Sequence, residues 1–430
     1  MDKFVAWWKQ DKKYVTLIKS VLAAMLPVMC CVVYCASQSR TLDQVYLPGS
    51  EWNDELFYYK QVEGMIHFGY PQGYFGFNES HALKLSFAAW SPVLVFPWVL
   101  WGLVFGWNLM TPIVCNIVLM TLCCFLFVWL VKPDWKQLGI LSFLFCLFRP
   151  FVRYMLSGMP EVICFVMLIL FYSLAINYLN SEKAWKLALL LVMGSVMTLM
   201  RPYFLLFLLL PMYFCVRRNR WKGLLGSALV LFLSLGLYAC INHYLGAEYF
   251  TPLFFTDWIT AFFESGIFGG LRFTLGKLYY MGISFLRYVV ESFRSGIAAG
   301  AFFSSYLVTL FILLYQSAAD YLKFRRDKFE RRTSSYNGIL SGQDSIVKNK
   351  ELTPVKADSG YKKENKLLLI EMHMLFSCVA MVFALLLMYK LVEGSKHLLT
   401  FIAAGIFVIS LMETKFFKKS VLLGMTFAFF

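Results

Sequence analysis

Two neighbouring carboxylates, Asp54 and Glu55, head an aromatic stretch, Leu56-Phe57-Tyr58-Tyr59, and follow Glu51-Trp52-Asn53. A carboxylate within hydrogen-bond reach of a reacting hydroxyl can act as its general base. From Asp54 onward the residues read as a helix lying at a membrane interface. Acidic side chains also stabilise a helix N-terminus, so the placement has a purely structural explanation as well. Cations recur further along, in Arg149-Pro150-Phe151-Val152-Arg153-Tyr154 ahead of Ser157-Gly158-Met159-Pro160-Glu161, in Arg201-Pro202, and in Glu393-Gly394-Ser395-Lys396-His397. Arg and Lys so placed suit an anionic partner, phosphate above all. The plain alternative is that each long side chain merely reaches up to the interface. His67 and His81 share the first segment with Asp54, Glu55, Glu63 and Glu79, but without a compact ligand spacing such as HExxH. A divalent metal is therefore not required, and no cofactor is expected.

The elements that must position these residues are membrane spans. The chain has 430 residues, 60% hydrophobic, 18% aromatic and 15% charged, with a formal net charge of +15. Soluble domains are about 45–50% apolar and about 25% charged. Here long apolar runs alternate with short basic clusters, which excludes a soluble enzyme, a disordered chain and a secreted disulfide scaffold. The runs are too continuous for barrel strands, which alternate over about 10 residues. The fold expected is an all-α polytopic membrane protein with ten or eleven transmembrane helices. Candidate spans are 14–36, 110–131, 137–151, 161–179, 186–200, 203–216, 223–242, 298–319, 367–389 and 397–412. The first reads as a retained signal anchor. The last run, Ser420 to Phe430, rises only about 16 Å, which reads as a half-span or a truncated chain end.

Charge orients the spans. The stretch Trp90 to Gly106 is apolar but carries Pro92 and Pro97. Treating it as a crossing helix would put Arg217, Arg218, Arg220 and Lys222 outside, against the positive-inside rule. It is therefore read as a juxtamembrane helix. On that reading 1–430 form one membrane domain. Its parts are a cytoplasmic N-terminus (1–13), an external loop (37–109), a second external loop (243–297) and a flexible basic cytoplasmic loop (320–366). Basic residues then gather in cytoplasmic loops, which suits a lipid bilayer rather than nucleic acid. The span centres carry almost no charge. The eleven cysteines form no CxxC pair and read as packing residues. Trp7, Trp8, Trp98, Trp101 and Trp107 read as interfacial aromatics. Asn78-Glu79-Ser80 is a sequon that has meaning only in a eukaryotic secretory setting.

Taken together, the signal-anchor span, the acidic pair before aromatics, the juxtamembrane helix ending in Phe105-Gly106, Met159-Pro160-Glu161, Arg201-Pro202 and Lys396-His397 resemble the GT-C superfamily of membrane glycosyltransferases. The resemblance spans most of Tyr14 to Met412. It implies transfer of a sugar from a polyprenyl-phosphate donor to an acceptor hydroxyl on a lipid, glycan or protein. The setting implied is the external face of a bacterial cytoplasmic membrane, in building the cell envelope. Asp54 then corresponds to the family's catalytic carboxylate with Glu55 beside it, and Glu161 to its second-loop acid. Arg153, Arg201, Lys396 and His397 correspond to donor-phosphate contacts. The competing expectation is a transporter or flippase for a lipid-linked saccharide, which would favour internal repeats and mid-membrane charge. A third is a scaffold that binds through the long cytoplasmic loop.

Overall fold

Hydrophobic length dictates the architecture. In the computed structural model the described residues are 12–45, 53–71, 73–75, 81–83, 91–147, 149–246, 255–295, 297–340, 357–388 and 391–411. The helices are α1 (Lys12–Ser37), α2 (Asn53–Phe68), α3 (Phe96–Phe105), α4 (Thr111–Val131), α5 (Trp135–Leu147), α6 (Arg149–Met155), α7 (Glu161–Ser181) and α8 (Ala184–Met200). There follow α9 (Leu205–Arg218), α10 (Arg220–Leu245), α11 (Asp257–Ser295), α12 (Ile297–Leu340), α13 (Ala357–Met388) and α14 (Leu391–Leu411). A two-stranded antiparallel ribbon, β1 (Gly73–Phe75) and β2 (His81–Leu83), pairs Tyr74 with Ala82.

The chain is a helical membrane protein. Among the described residues six helices are long and apolar enough to cross a bilayer: α1, α4, α7, α10 and the apolar parts of α12 and α13. The remaining expected spans coincide with shorter helices. The 17 residues of α8 rise about 26 Å and the 13 of α5 about 20 Å. The stretch expected to lie juxtamembrane is a four-residue 3-10 turn, Pro92–Val95, running into the ten-residue α3. Its length falls short of the roughly 20 residues that a crossing needs. Gly106, at φ 88°, ends it in a conformation that side chains with a Cβ resist.

Helix α7 is apolar around its whole circumference and lies at the centre, as such a helix must. It packs against α4, α8, α13 and α14. Outer helices keep apolar residues exposed, including Val21, Met25 and Val33 on α1 and Leu225, Leu229 and Phe232 on α10. In water such surfaces would aggregate; in a bilayer they are the lipid-facing side.

Hydrogen bonds tie the helices at two opposite ends. At one end Lys19 donates to the Pro133 carbonyl (2.8 Å), Asn177 to that of Leu130 (2.8 Å) and Gln137 to that of Leu411 (2.9 Å). The other end gathers α2, α3, the turn before α7, and the α8–α9 connection. Between them, His373 on α13 bridges Tyr172 on α7 and the Leu206 carbonyl on α9, at 3.0 Å each.

Two segments read as loops are helical. The stretch 243–297 contains α11, which kinks at Gly266 (φ 67°). Its glycines and scattered charges break the apolar run that marks a span, yet its residues still form helix. The stretch 320–366, expected to be a flexible loop, is entered by α12 as far as Leu340 and left by α13 from Ala357. Lys, Arg and Glu are strong helix formers, so a charged sequence continues a helix begun in the membrane.

Candidate functional site

Helix polarity brings the first two residues together. Glu161 is the first residue of α7 and Arg201 caps the C-terminus of α8, the antiparallel neighbour. A carboxylate suits a helix N-terminus and a cation a C-terminus, and the two ends lie side by side. Arg201 Nη2 donates to Glu161 Oε1 at 2.7 Å with both side chains fully buried. Pro202 starts a 3-10 turn that stops α8 and returns Tyr203 to the guanidinium, where Arg201 Nη1 donates to the Tyr203 hydroxyl at 2.8 Å. The same nitrogen lies 3.4 Å from His397 Nδ1 on α14. A guanidinium only donates, so Nδ1 accepts and the imidazole is neutral, with its proton on Nε2.

The acidic pair approaches from α2. Glu55 is buried, and the Gly158 amide in the turn between α6 and α7 acts on its carboxyl, favouring the ionised form. Burial pushes its carboxyl up to about 7, against the pull of the Gly158 amide, with Glu161 and Asp54 adding repulsion. Asp54, the preceding residue, is partly exposed. Tyr58, one turn further along α2, is fully buried, and desolvation holds its phenol well above the usual range within the fields of Arg201, Glu161 and Asp54. Tyr154 on α6 is raised by burial in the same way and feels Glu161, Arg153, Arg201 and Asp54.

Five of the seven residues singled out from the sequence thus share one cluster: Asp54, Glu55, Glu161, Arg201 and His397. Arg153 is exposed at its edge. The Lys396 side chain, together with Glu51, Trp52, Asn78, Glu79, the side chain of His81 and the run 420–430, lies outside the described residues. Burial separates the basic residues: Arg201 and the neutral His397 are enclosed, whereas Arg153 faces outward. Arg201 does not reach up to an interface; it is engaged by Glu161. Among the described residues no three His, Cys, Asp or Glu side chains converge as metal ligands.

No family model, no curated protein and no solved structure matches the chain. What can be said of the site rests on its own geometry: a buried ion pair, a buried carboxyl that titrates near neutrality and a more exposed carboxylate beside it. Such a set can accept a proton and hold a developing negative charge.

Tyr58, Tyr203, Gly158 and Asn116 escaped the sequence reading. Asn116 alone left a signal, as an amide inside the apolar run Ile113-Val114-Cys115-Asn116-Ile117-Val118. A second omission lies at the far end of the bundle. Glu371, 1% exposed on α13, lies beside Asp320 on α12, and Gln316 donates to the Asp320 carboxylate at 2.7 Å. Glu371 thus places a buried acidic side chain near one end of its span.

Proposed function

We propose that this protein is an integral-membrane, inverting glycosyltransferase that takes its sugar from a polyprenyl-phosphate donor and works on the external face. The observation that carries this reading is the gathering of Asp54, Glu55, Glu161, Arg201 and His397 at one end of the helix bundle. The GT-C resemblance supplies the chemistry. Asp54, the more exposed of the paired carboxylates, takes the proton of the acceptor hydroxyl. That oxygen bonds to the anomeric carbon as the bond to phosphate breaks, and the lipid phosphate leaves with the electron pair. Phosphate is already a good leaving group, so no carboxylic acid has to protonate it, in contrast with glycoside hydrolysis. Arg153 and Lys396 are the cations assigned to the donor phosphate. Arg201, enclosed behind them, contributes its field and holds Glu161, and the neutral His397 accepts from Arg201, so their role shifts from contact to positioning.

A transport reading has one observation in its favour, the buried Glu371 beside the half-buried Asp320, because ionisable side chains within spans commonly mark pathways. The test is release of sugar from a labelled polyprenyl-phosphate donor by the purified protein. The expected result is turnover lowered by about 10²–10⁴ in Asp54→Asn with the fold retained. Unchanged turnover in that variant would remove Asp54 as the base. Donor movement across vesicles without cleavage would replace transfer by transport.

A further inference from the structure

A chain of buried hydrogen bonds leads from the juxtamembrane helix to the acidic pair. Trp98 on α3 is fully enclosed, and its indole Nε1 donates to Asn116 Oδ1 at 3.0 Å. Asn116, equally enclosed on α4, uses its amide Nδ2 to donate to the Ser157 carbonyl at 3.2 Å. The peptide unit whose oxygen is held in this way is the Ser157–Gly158 unit, and its N–H is the Gly158 amide that acts on the Glu55 carboxyl. A peptide group is planar and rigid, so fixing its oxygen aims its nitrogen. The turn is braced a second time, because Ser157 Oγ donates to the Tyr154 carbonyl at 2.9 Å and receives the Met159 amide at 3.3 Å.

An amide in an apolar helix is costly unless both its ends are used, and here both are. Packing alone would be served by a leucine at position 116. We propose that Trp98 and Asn116 are positioning residues for the candidate site: they orient the Ser157–Gly158 peptide so that its N–H holds the Glu55 carboxylate and seats α2, with Asp54, against the helix bundle. The inference deepens the proposed function and rests on it for any effect on transfer, but its physical content concerns Glu55 alone. The other groups that act on Glu55 are Asp54 on its own helix and Glu161 on α7, with the Gly158 amide opposing both. Neither repulsion depends on Asn116.

The experiment is an infrared pH titration of the Glu55 carboxyl in the full chain, assigned by subtracting the Glu55→Gln spectrum. The Gly158 amide favours the ionised form, so turning it away must raise the midpoint. In Asn116→Leu the midpoint is expected to move up by about half a pH unit or more, and in Trp98→Phe, which keeps the ring and loses the donor, by a smaller amount. Sugar transfer at pH 7, measured alongside, should fall in kcat more than it changes KM. A well-folded Asn116→Leu protein with an unmoved midpoint overturns the inference. If Asn116→Leu does not fold, Trp98→Phe alone decides, and an unmoved midpoint there overturns it equally. A shifted midpoint in a protein that transfers no sugar would sustain the positioning role and reject the glycosyltransferase reading instead.

Discussion

Arg201 illustrates how much one buried side chain can constrain. It is enclosed, bonded to Glu161 and Tyr203, and within 3.4 Å of His397, so it joins α7, the α8–α9 turn and α14. A buried pair returns little net stability relative to a well-packed apolar pair, whereas removing one partner strands the other. Arg201→Met is therefore expected to destabilise the protein by about 3–5 kcal/mol, read as a fall in the detergent-solubilised melting temperature. The double variant Arg201→Met with Glu161→Leu should recover much of that loss. If the double variant is as unstable as the single one, uncompensated charge is not the cause. Glu55 gives a second, pH-linked expectation. Its carboxyl titrates near 7 in the folded protein, above its ordinary value of 4.5. The native state therefore holds the proton more tightly than the unfolded chain. The associated stabilisation is full below about 4.5 and is lost as pH rises through about 7. Hydrogen exchange of α2, corrected for its intrinsic pH dependence, should speed up above neutrality in the wild type and lose this trend in Glu55→Gln. Glu161, Arg201 and His397 were legible because cations and acids at the outer ends of spans are out of place there. Glu55 was legible only as a type, since its burial depends on a turn 100 residues away. Tyr58 and Tyr203 lie in aromatic-rich surroundings where no tyrosine stands out.

At the scale of elements, His373 joins three helices within the bundle. Its Nε2 donates to the Leu206 carbonyl on α9, which leaves Nδ1 to accept from the Tyr172 hydroxyl on α7. Both ring nitrogens are used, so the imidazole is structural. His373→Leu should cost about 1–3 kcal/mol for each group it leaves unpaired, and Tyr172→Phe about 1 kcal/mol. Thermal unfolding of the two variants checks the order, and equal effects would contradict it. Continuous apolar runs made the long helices plain in the sequence. The short ones, α8 and α9, match the expected spans to within two residues at each end, and the 3-10 turn that starts at Pro202 separates them. Helix α11, by contrast, was missed. Seven charged residues and several glycines interrupt its apolar residues, and the conformation it adopts is decided by packing against α12 and α13.

The whole molecule has two chemically distinct ends, and only one of them gathers the acids and cations expected to act. Charge places Asp54, Glu161, Arg201 and His397 on one face; in the fold Glu161, Arg201 and His397 are linked directly, and Asp54 acts on the same buried tyrosines as Glu161 and Arg201 do. The membrane class and the shared face were legible because both follow from local hydropathy and charge. The donor, the acceptor and the direction of any proton movement were not, because they depend on side-chain neighbours far apart in the chain. The opposite end carries its own acids, the buried Glu371 and the half-buried Asp320, and so the molecule itself poses the decisive comparison. The most direct measurement is sugar release from labelled polyprenyl-phosphate donors by Asp54→Asn and Glu371→Gln proteins, purified and assayed side by side. Glycosyl transfer at the Glu161–Arg201 end predicts that the first variant loses turnover by at least about 10²-fold while the second keeps it. Turnover kept in Asp54→Asn and lost in Glu371→Gln would contradict the account.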